Sequence, residues 1–211
     1  ENYLRQVFLA RSYYETGLER RAKLGWQKVQ LEIANDPEKL QFFANYARKL
    51  GLFEEARGAY QRLQEIPISQ RMGFTDQVQM ERFLGNTEAL HEVLGDMHEA
   101  YPDDIAVEND FYYTGILLGE TNAKVLTDVE KLVEQNPSYL SHRMTLALGL
   151  LMDNKPGEAL QVFEALNIPV EQLSPTFRTV LGSVLRANGQ EQEASAVFRG
   201  VDPRQLLPEE Q

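Results

Sequence analysis

The sequence predicts an all-α protein, a right-handed α-solenoid of about six helix–turn–helix repeats, and three observations carry that prediction. Turn residues stand at Gly17, Gly51, Gly85, Gly119, Asn154 and Gly189, at intervals of 34, 34, 34, 35 and 35 residues. Prolines follow each expected second helix at Pro37, Pro67, Pro102, Pro137, Pro169 and Pro203. Between these marks, apolar residues recur at helical spacing. Glycine ends helices because it takes the left-handed conformation without a Cβ penalty, and proline cannot continue them. A single helix pair cannot bury its apolar stripes alone, so a period near 34 implies stacked neighbours and one continuous core over residues 1–211.

Each unit follows from its own residues. The first, about 3–36, carries Arg20, Arg21 and Lys23 at the start of its second helix, where cations are slightly unfavourable, so they read as solvated surface. The second, 37–68, is the clearest. Asp36 is an N-cap and Pro37 the first helical residue. Leu40, Phe43, Ala44, Ala47 and Leu50 then form one stripe, Gly51 stops the helix, and Phe53, Ala56, Tyr60 and Leu63 form the next stripe before Pro67. In the third, 69–103, Phe74, Val78 and Met80 lead to Phe83 and Leu84 before Gly85, and Thr87 is expected to cap the following helix. The fourth, 104–138, opens on Asp103 and Asp104 and carries Phe111, Tyr112, Tyr113 and Ile116, with Val125 and Val129 opposite. The fifth, 139–173, contains MTLALGLLM from Met144 to Met152, apolar nearly all round and therefore buried or lining a binding surface. The sixth, 174–203, has a polar outer run Gln190, Glu191, Gln192 and Glu193, as a terminal repeat needs. In the tail, 204–211, Leu206 and Leu207 are expected to fold back as an apolar plug.

A large and a small residue pair up as Leu9-Ala10, Phe43-Ala44, Leu146-Ala147 and Leu181-Gly182. Twelve residues after each small residue comes an alanine that opens Ala-x-x-x-aromatic: Ala22/Trp26, Ala56/Tyr60, Ala159/Phe163 and Ala194/Phe198. Small residues on both helices allow their backbones to approach, and the aromatic fills the space beside them. On these residues the chain resembles the tetratricopeptide-repeat family. Gln6, Leu40, Arg143 and Arg178 stand where the family pattern has tryptophan, which leaves the subfamily unassigned. The third and fourth units match in period and turn alone, with Val78 and Leu90, then Tyr112 and Lys124, at the small positions.

The resemblance implies that first helices line a concave groove that binds a peptide segment. The residues it places there include Arg11 and Tyr14, then Gln41, Asn45 and Arg48, then Gln79 and Arg82. Asn109 and Tyr113 follow, and last Met144 and Leu148. That groove would be polar and basic in its N-terminal half and apolar in its C-terminal half, with asparagines holding peptide backbone and arginines taking carboxylates. Arg48 and Arg82 also stand in last helical turns, where the helix dipole alone favours a cation. Met144 and Leu148 equally suit packing on neighbouring helices or on Leu206 and Leu207. Some family members grip a terminal carboxylate with Lys and Asn; Asn45 matches one such place, but Gln41 stands where Lys is wanted.

Composition narrows the function further. The net charge is −11. Residues 1–68 hold 11 basic against 9 acidic side chains, residues 69–137 hold 4 against 14, and residues 138–211 hold 6 against 9. An array acidic in its middle and end repels phosphate backbones, so nucleic acid is not the expected partner. There is no cysteine, hence no thiol nucleophile or disulfide frame. Of the three histidines, His91, His98 and His142, the first two share a helix face with no carboxylate or third histidine at ligand spacing and read as surface residues, so no metal and no cofactor are expected. No phosphate loop, nucleophile elbow or H-E-x-x-H occurs. No apolar run reaches the roughly 18 residues of a membrane span, so no membrane insertion by this segment is expected. The expected function is a non-enzymatic protein–protein interaction scaffold for a protein or peptide partner. The alternative is a regulatory or assembly domain of a larger chain, tethered to a membrane upstream and acting by self-association. Either way a soluble domain is expected, cytoplasmic or on the soluble side of such an anchor.

Overall fold

The structure, a computed structural model, describes residues 2–163 and 169–211. Among the described residues the chain forms twelve α-helices and three short 3-10 turns, with no strand. The helices are α1 (Asn2–Glu15), α2 (Glu19–Glu32), α3 (Pro37–Lys49), α4 (Phe53–Gln64), α5 (Gln70–Leu84) and α6 (Thr87–Ala100). They continue as α7 (Ile105–Leu117), α8 (Ala123–Gln135), α9 (Leu140–Met152), α10 (Pro156–Phe163), α11 (Pro175–Ala187) and α12 (Glu191–Phe198). The end of the expected fifth unit, residues 164–168, lies outside the described residues.

The punctuation acts as the sequence predicts. Gly17, Gly51, Gly85, Gly119 and Gly189 have φ between 65° and 95°, and Asn154 at φ 61° takes the same role. After each, the next N–H donates five residues back, as in Leu52 to the Ala47 carbonyl at 2.9 Å and Lys155 to the Leu150 carbonyl at 2.9 Å. This satisfies a carbonyl the helix end leaves free and reverses the chain. At the other ends, Asp36 accepts from the Lys39 N–H at 3.2 Å and Asp104 from Ala106 and Val107. Thr87 is not the cap of α6: Asn86 accepts from the Ala89 N–H at 3.2 Å, leaving the Thr87 hydroxyl for another partner.

Backbone contacts divide the chain into two compact units, Glu1–Met80 and Glu81–Gln211. In the first, α1 packs on α2 and α3 on α4, around Val7, Trp26, Val29, Leu40, Phe43, Tyr60 and Leu63. The α1–α2 pair makes a close small-residue contact at Gly25. Ala10 faces Gly25, and a Cβ built on Gly25 would lie 2.7 Å from the Ala10 Cβ. Ala22 and Trp26 are both buried, but Leu9 points outward. A further close approach is that of Gly73 on α5 to the α4 backbone.

In the second unit the first helices of successive pairs form a row, α7 against α9 and α9 against α11, with α8 and α10 packed alongside. Its core joins Tyr113, Ile116, Val129, Met144, Ala147, Leu148, Phe163, Phe177, Val180 and Val184. Gly182 accommodates the ring of Phe198, and the Arg186 guanidinium covers that ring at 4.6 Å.

Candidate binding surface

In the first unit the expected groove residues sit on α1, α3 and α5. Arg11 donates to the Tyr46 hydroxyl at 3.0 Å and to Glu15 at 2.7 Å, tying α1 to α3. Tyr14 is exposed, as is Gln79 on α5. Asn45 accepts from the Tyr60 hydroxyl at 3.3 Å. Gln41 hydrogen-bonds the carboxylate of Asp76, whose pKa nonetheless stands above its ordinary value. Burial is the largest cause, and it outweighs Gln41 and the nearby charge of Arg48. The Oδ2 atom of Asp76 is buried without a partner. Beside this polar group runs an aromatic row that the sequence reading missed. Phe42 stacks on Tyr46 at 6.1 Å and meets Tyr3 edge-on at 6.5 Å, with Lys39 over the Tyr3 ring. The signal was present in the Phe42/Tyr46 spacing of four, which places both rings on one helix face.

On the opposite helices, α2 and α4 flank a cleft of about 590 Å³ lined by Gln27, Gln30, Leu31, Leu40 and Arg62. It too was not foreseen, because a period-based reading assigns second helices to the outer face. Arg62 is held there by the Ala34 carbonyl at 2.9 Å and the Asn35 side chain at 3.1 Å.

In the second unit Arg82 pairs with Asp110 at 3.2 Å. Burial raises the Asp110 pKa, and Arg82 offsets this in part. Asn109 is buried and joins helices: its Oδ1 accepts from the Thr145 hydroxyl at 2.9 Å. Met144 and Leu148 lie in the core with Phe177 and Val180. Tyr113, 3% exposed, donates its hydroxyl to Glu210. Burial, reinforced by the Glu210 charge, holds that phenol protonated far above its ordinary range.

That contact belongs to the segment 203–211, which returns across the unit. Asp202 caps the turn Pro203–Gln205, Leu207 is 3% exposed, and Pro208–Glu210 forms a second turn against α11. The Leu207 N–H donates to Glu210 Oε2 at 2.5 Å, and the Thr87 hydroxyl donates to Glu209. The expected apolar plug is therefore present through Leu207, while Leu206 is half-buried.

The histidines correct the sequence reading. His91 and His98 are half-buried and stack on Phe111 at 4.6 Å and 5.7 Å, and the His91 Nδ1 lies 3.0 Å from the Thr114 hydroxyl. His142 is fully buried, with Nδ1 3.2 Å from the Leu132 carbonyl. Among the described residues no three His, Asp or Glu side chains gather as metal ligands.

No family model matches the chain, and no curated protein does. Among solved structures, the chain is similar to a tetratricopeptide-repeat protein from Parabacteroides merdae, with a TM-score of 0.60 at 15% identity over 92% of this chain and 77% of that one. The chain has the tetratricopeptide-repeat fold. A second similar structure is PilW, a widely conserved type IV pilus biogenesis factor, with a TM-score of 0.48 at 13% identity over 93% of this chain and 90% of that one. Among the described residues of this tetratricopeptide-repeat array, no helix is long and apolar enough to cross a membrane.

Proposed function

We propose that this tetratricopeptide-repeat array is a non-enzymatic scaffold that binds a peptide segment of a partner protein on its first-helix face. The observation that carries the reading is the polar row of the first unit. Gln41, Asn45, Arg48 and Asp76 stand there on two helices, and the ring of Phe42 on the same α3 is exposed. Amide side chains donate and accept together, as an extended backbone requires, and aromatic rings supply contact area at low entropic cost.

A second reading, assembly through self-association, is favoured by Phe8, Leu9, Leu24 and Leu31, which are 58%, 53%, 59% and 79% exposed. One experiment weighs both. The chain and an Asn45→Ala/Arg48→Ala variant, shown by circular dichroism to be folded, are used as baits for candidate partners. A partner held by the parent and lost by the variant supports the peptide site. Partners held equally by both overturn the role of this row. Recovery of the chain alone, with a dimer in light scattering, moves the function to the exposed face of α1 and α2.

A further inference from the structure

The second unit already holds a segment on its first-helix face, and its seating specifies a ligand. Residues 207–210 read Leu-Pro-Glu-Glu and sit across α11, the Tyr113 position of α7 and the turn between α5 and α6. Each residue of the four has a distinct role. Leu207 is buried. Pro208 lies over Gly85, where a built Cβ would come within 3.5 Å of its ring. Glu209 takes the Thr87 hydroxyl and Glu210 the Tyr113 hydroxyl. Glu210 also closes the turn on the Leu207 N–H, so the segment arrives folded on itself. Proline fixes one dihedral in advance, which lowers the ordering cost of docking.

The partners on the array lie 97 and 122 residues away in sequence, so no local preference of the chain explains the contact. Net charge does not explain it either: residues 69–137 hold 14 acidic against 4 basic side chains, yet two carboxylates settle there. What remains is local recognition. Two neutral hydroxyl donors, one of them the phenol of a buried tyrosine, meet two carboxylates, and hydrogen bonds to ionised acceptors are about twice as strong as neutral ones.

We propose that the first-helix face of Glu81–Gln211 is a receptor for Leu-Pro-Glu-Glu segments of a partner protein, and that residues 207–210 are an intramolecular occupant which such a segment displaces. This deepens the scaffold reading and rests on it, but it names a different site from the Asn45 row. A tethered occupant acts at an effective concentration in the millimolar range, so a free peptide binds the resting chain weakly.

The test uses the whole chain and a labelled peptide RQLLPEEQ, read by fluorescence anisotropy. Glu209→Gln/Glu210→Gln weakens the tethered occupant at exposed or half-buried positions, and hydrogen exchange checks that 203–211 is released. The released variant should bind the peptide roughly tenfold more tightly than the parent, in line with the loss of two charge-assisted bonds. Adding Tyr113→Phe should return affinity roughly tenfold toward the parent, and the peptide RQLLPQQQ should not compete. No binding to a folded, released variant overturns the proposal, as does binding that Tyr113→Phe leaves unchanged. A segment that stays protected in the double variant overturns it as well, since the carboxylates then do not hold it. A random octapeptide library separates the two levels: if other peptides bind the released face and the Leu-Pro-Glu-Glu ones do not, this specificity falls while the scaffold reading stands. A swapped dimer in light scattering reassigns the occupant to a second copy and overturns a foreign partner.

Discussion

Asp76 is a carboxylate placed where its charge costs stability. Its pKa is raised from 3.8, chiefly by burial, so the folded state holds its proton more tightly than the unfolded chain does. A raised acid favours folding below the unfolded pKa and loses that contribution as pH rises through the folded value. Asp76→Asn removes the charge and keeps an acceptor for Gln41. The variant should therefore melt above the parent at pH 7, and the gain should vanish as pH falls toward about 4. Trp26 is the single tryptophan and lies buried in the same unit, so its fluorescence follows the transition. A variant that melts below the parent at neutral pH would show that Asp76 is held by attraction to Arg48. At this scale the sequence was legible for residues whose neighbours are near in the chain. Asp36, Pro37, Gly51 and the Ala56/Tyr60 pair behave as read. It was silent where a contact spans many residues: nothing in the order of residues places Glu210 at Tyr113, stacks His91 and His98 on Phe111, or turns Asn109 inward to Thr145.

Elements meet through glycines, and they differ in what surrounds them. A Cβ on Gly73 would lie 2.7 Å from the Tyr60 carbonyl oxygen and 2.9 Å from the Gln64 nitrogen, both backbone atoms of α4. A Cβ on Gly58, within α4, would meet the end of the flexible Gln30 side chain at 3.5 Å. Alanine is the better helix former by about 1 kcal/mol, so propensity alone stabilises both substitutions. Packing reverses one of them. Gly73→Ala should destabilise by about 1–3 kcal/mol as α4 and α5 are forced apart, whereas Gly58→Ala should be neutral or stabilise by up to about 1 kcal/mol. Urea unfolding followed at Trp26 distinguishes them, and equal effects would mean that the α4–α5 approach is not tight. The turns of these elements were readable because one left-handed residue per unit leaves a periodic mark. The contact of Ala10 with Gly25 was not, since it depends on the phase of two helices rather than on a repeated residue.

At the scale of the molecule, a repeat array is stabilised by each unit and its neighbours, so a perturbation in one place need not spread to all. The segment 203–211 tests this, because its described contacts lie with Glu81–Gln211. Burial of Leu207 is worth about 1.5–3 kcal/mol, and the hydroxyl–carboxylate bonds add to it. Ordering the segment opposes that gain, so its net contribution is smaller than the contacts alone suggest. Removing residues 204–211 should therefore lower the far-ultraviolet melting transition, by about 2–4 °C for each kcal/mol of net stabilisation lost. The Trp26 transition, reporting the first unit, should move much less. A segment that behaves as a ligand also restores stability when supplied free: at ten times its dissociation constant, the peptide RQLLPEEQ should return about 1.4 kcal/mol. If truncation leaves both transitions unchanged, Leu207 is buried without consequence and the segment is no plug. If truncation lowers the transition and the peptide fails to restore it, covalent connection rather than the Leu-Pro-Glu-Glu chemistry holds the segment in place. Restoration that requires the Tyr113 hydroxyl would join the stability of the second unit to the occupancy of its first-helix face, so that its partner and its fold are read from one equilibrium.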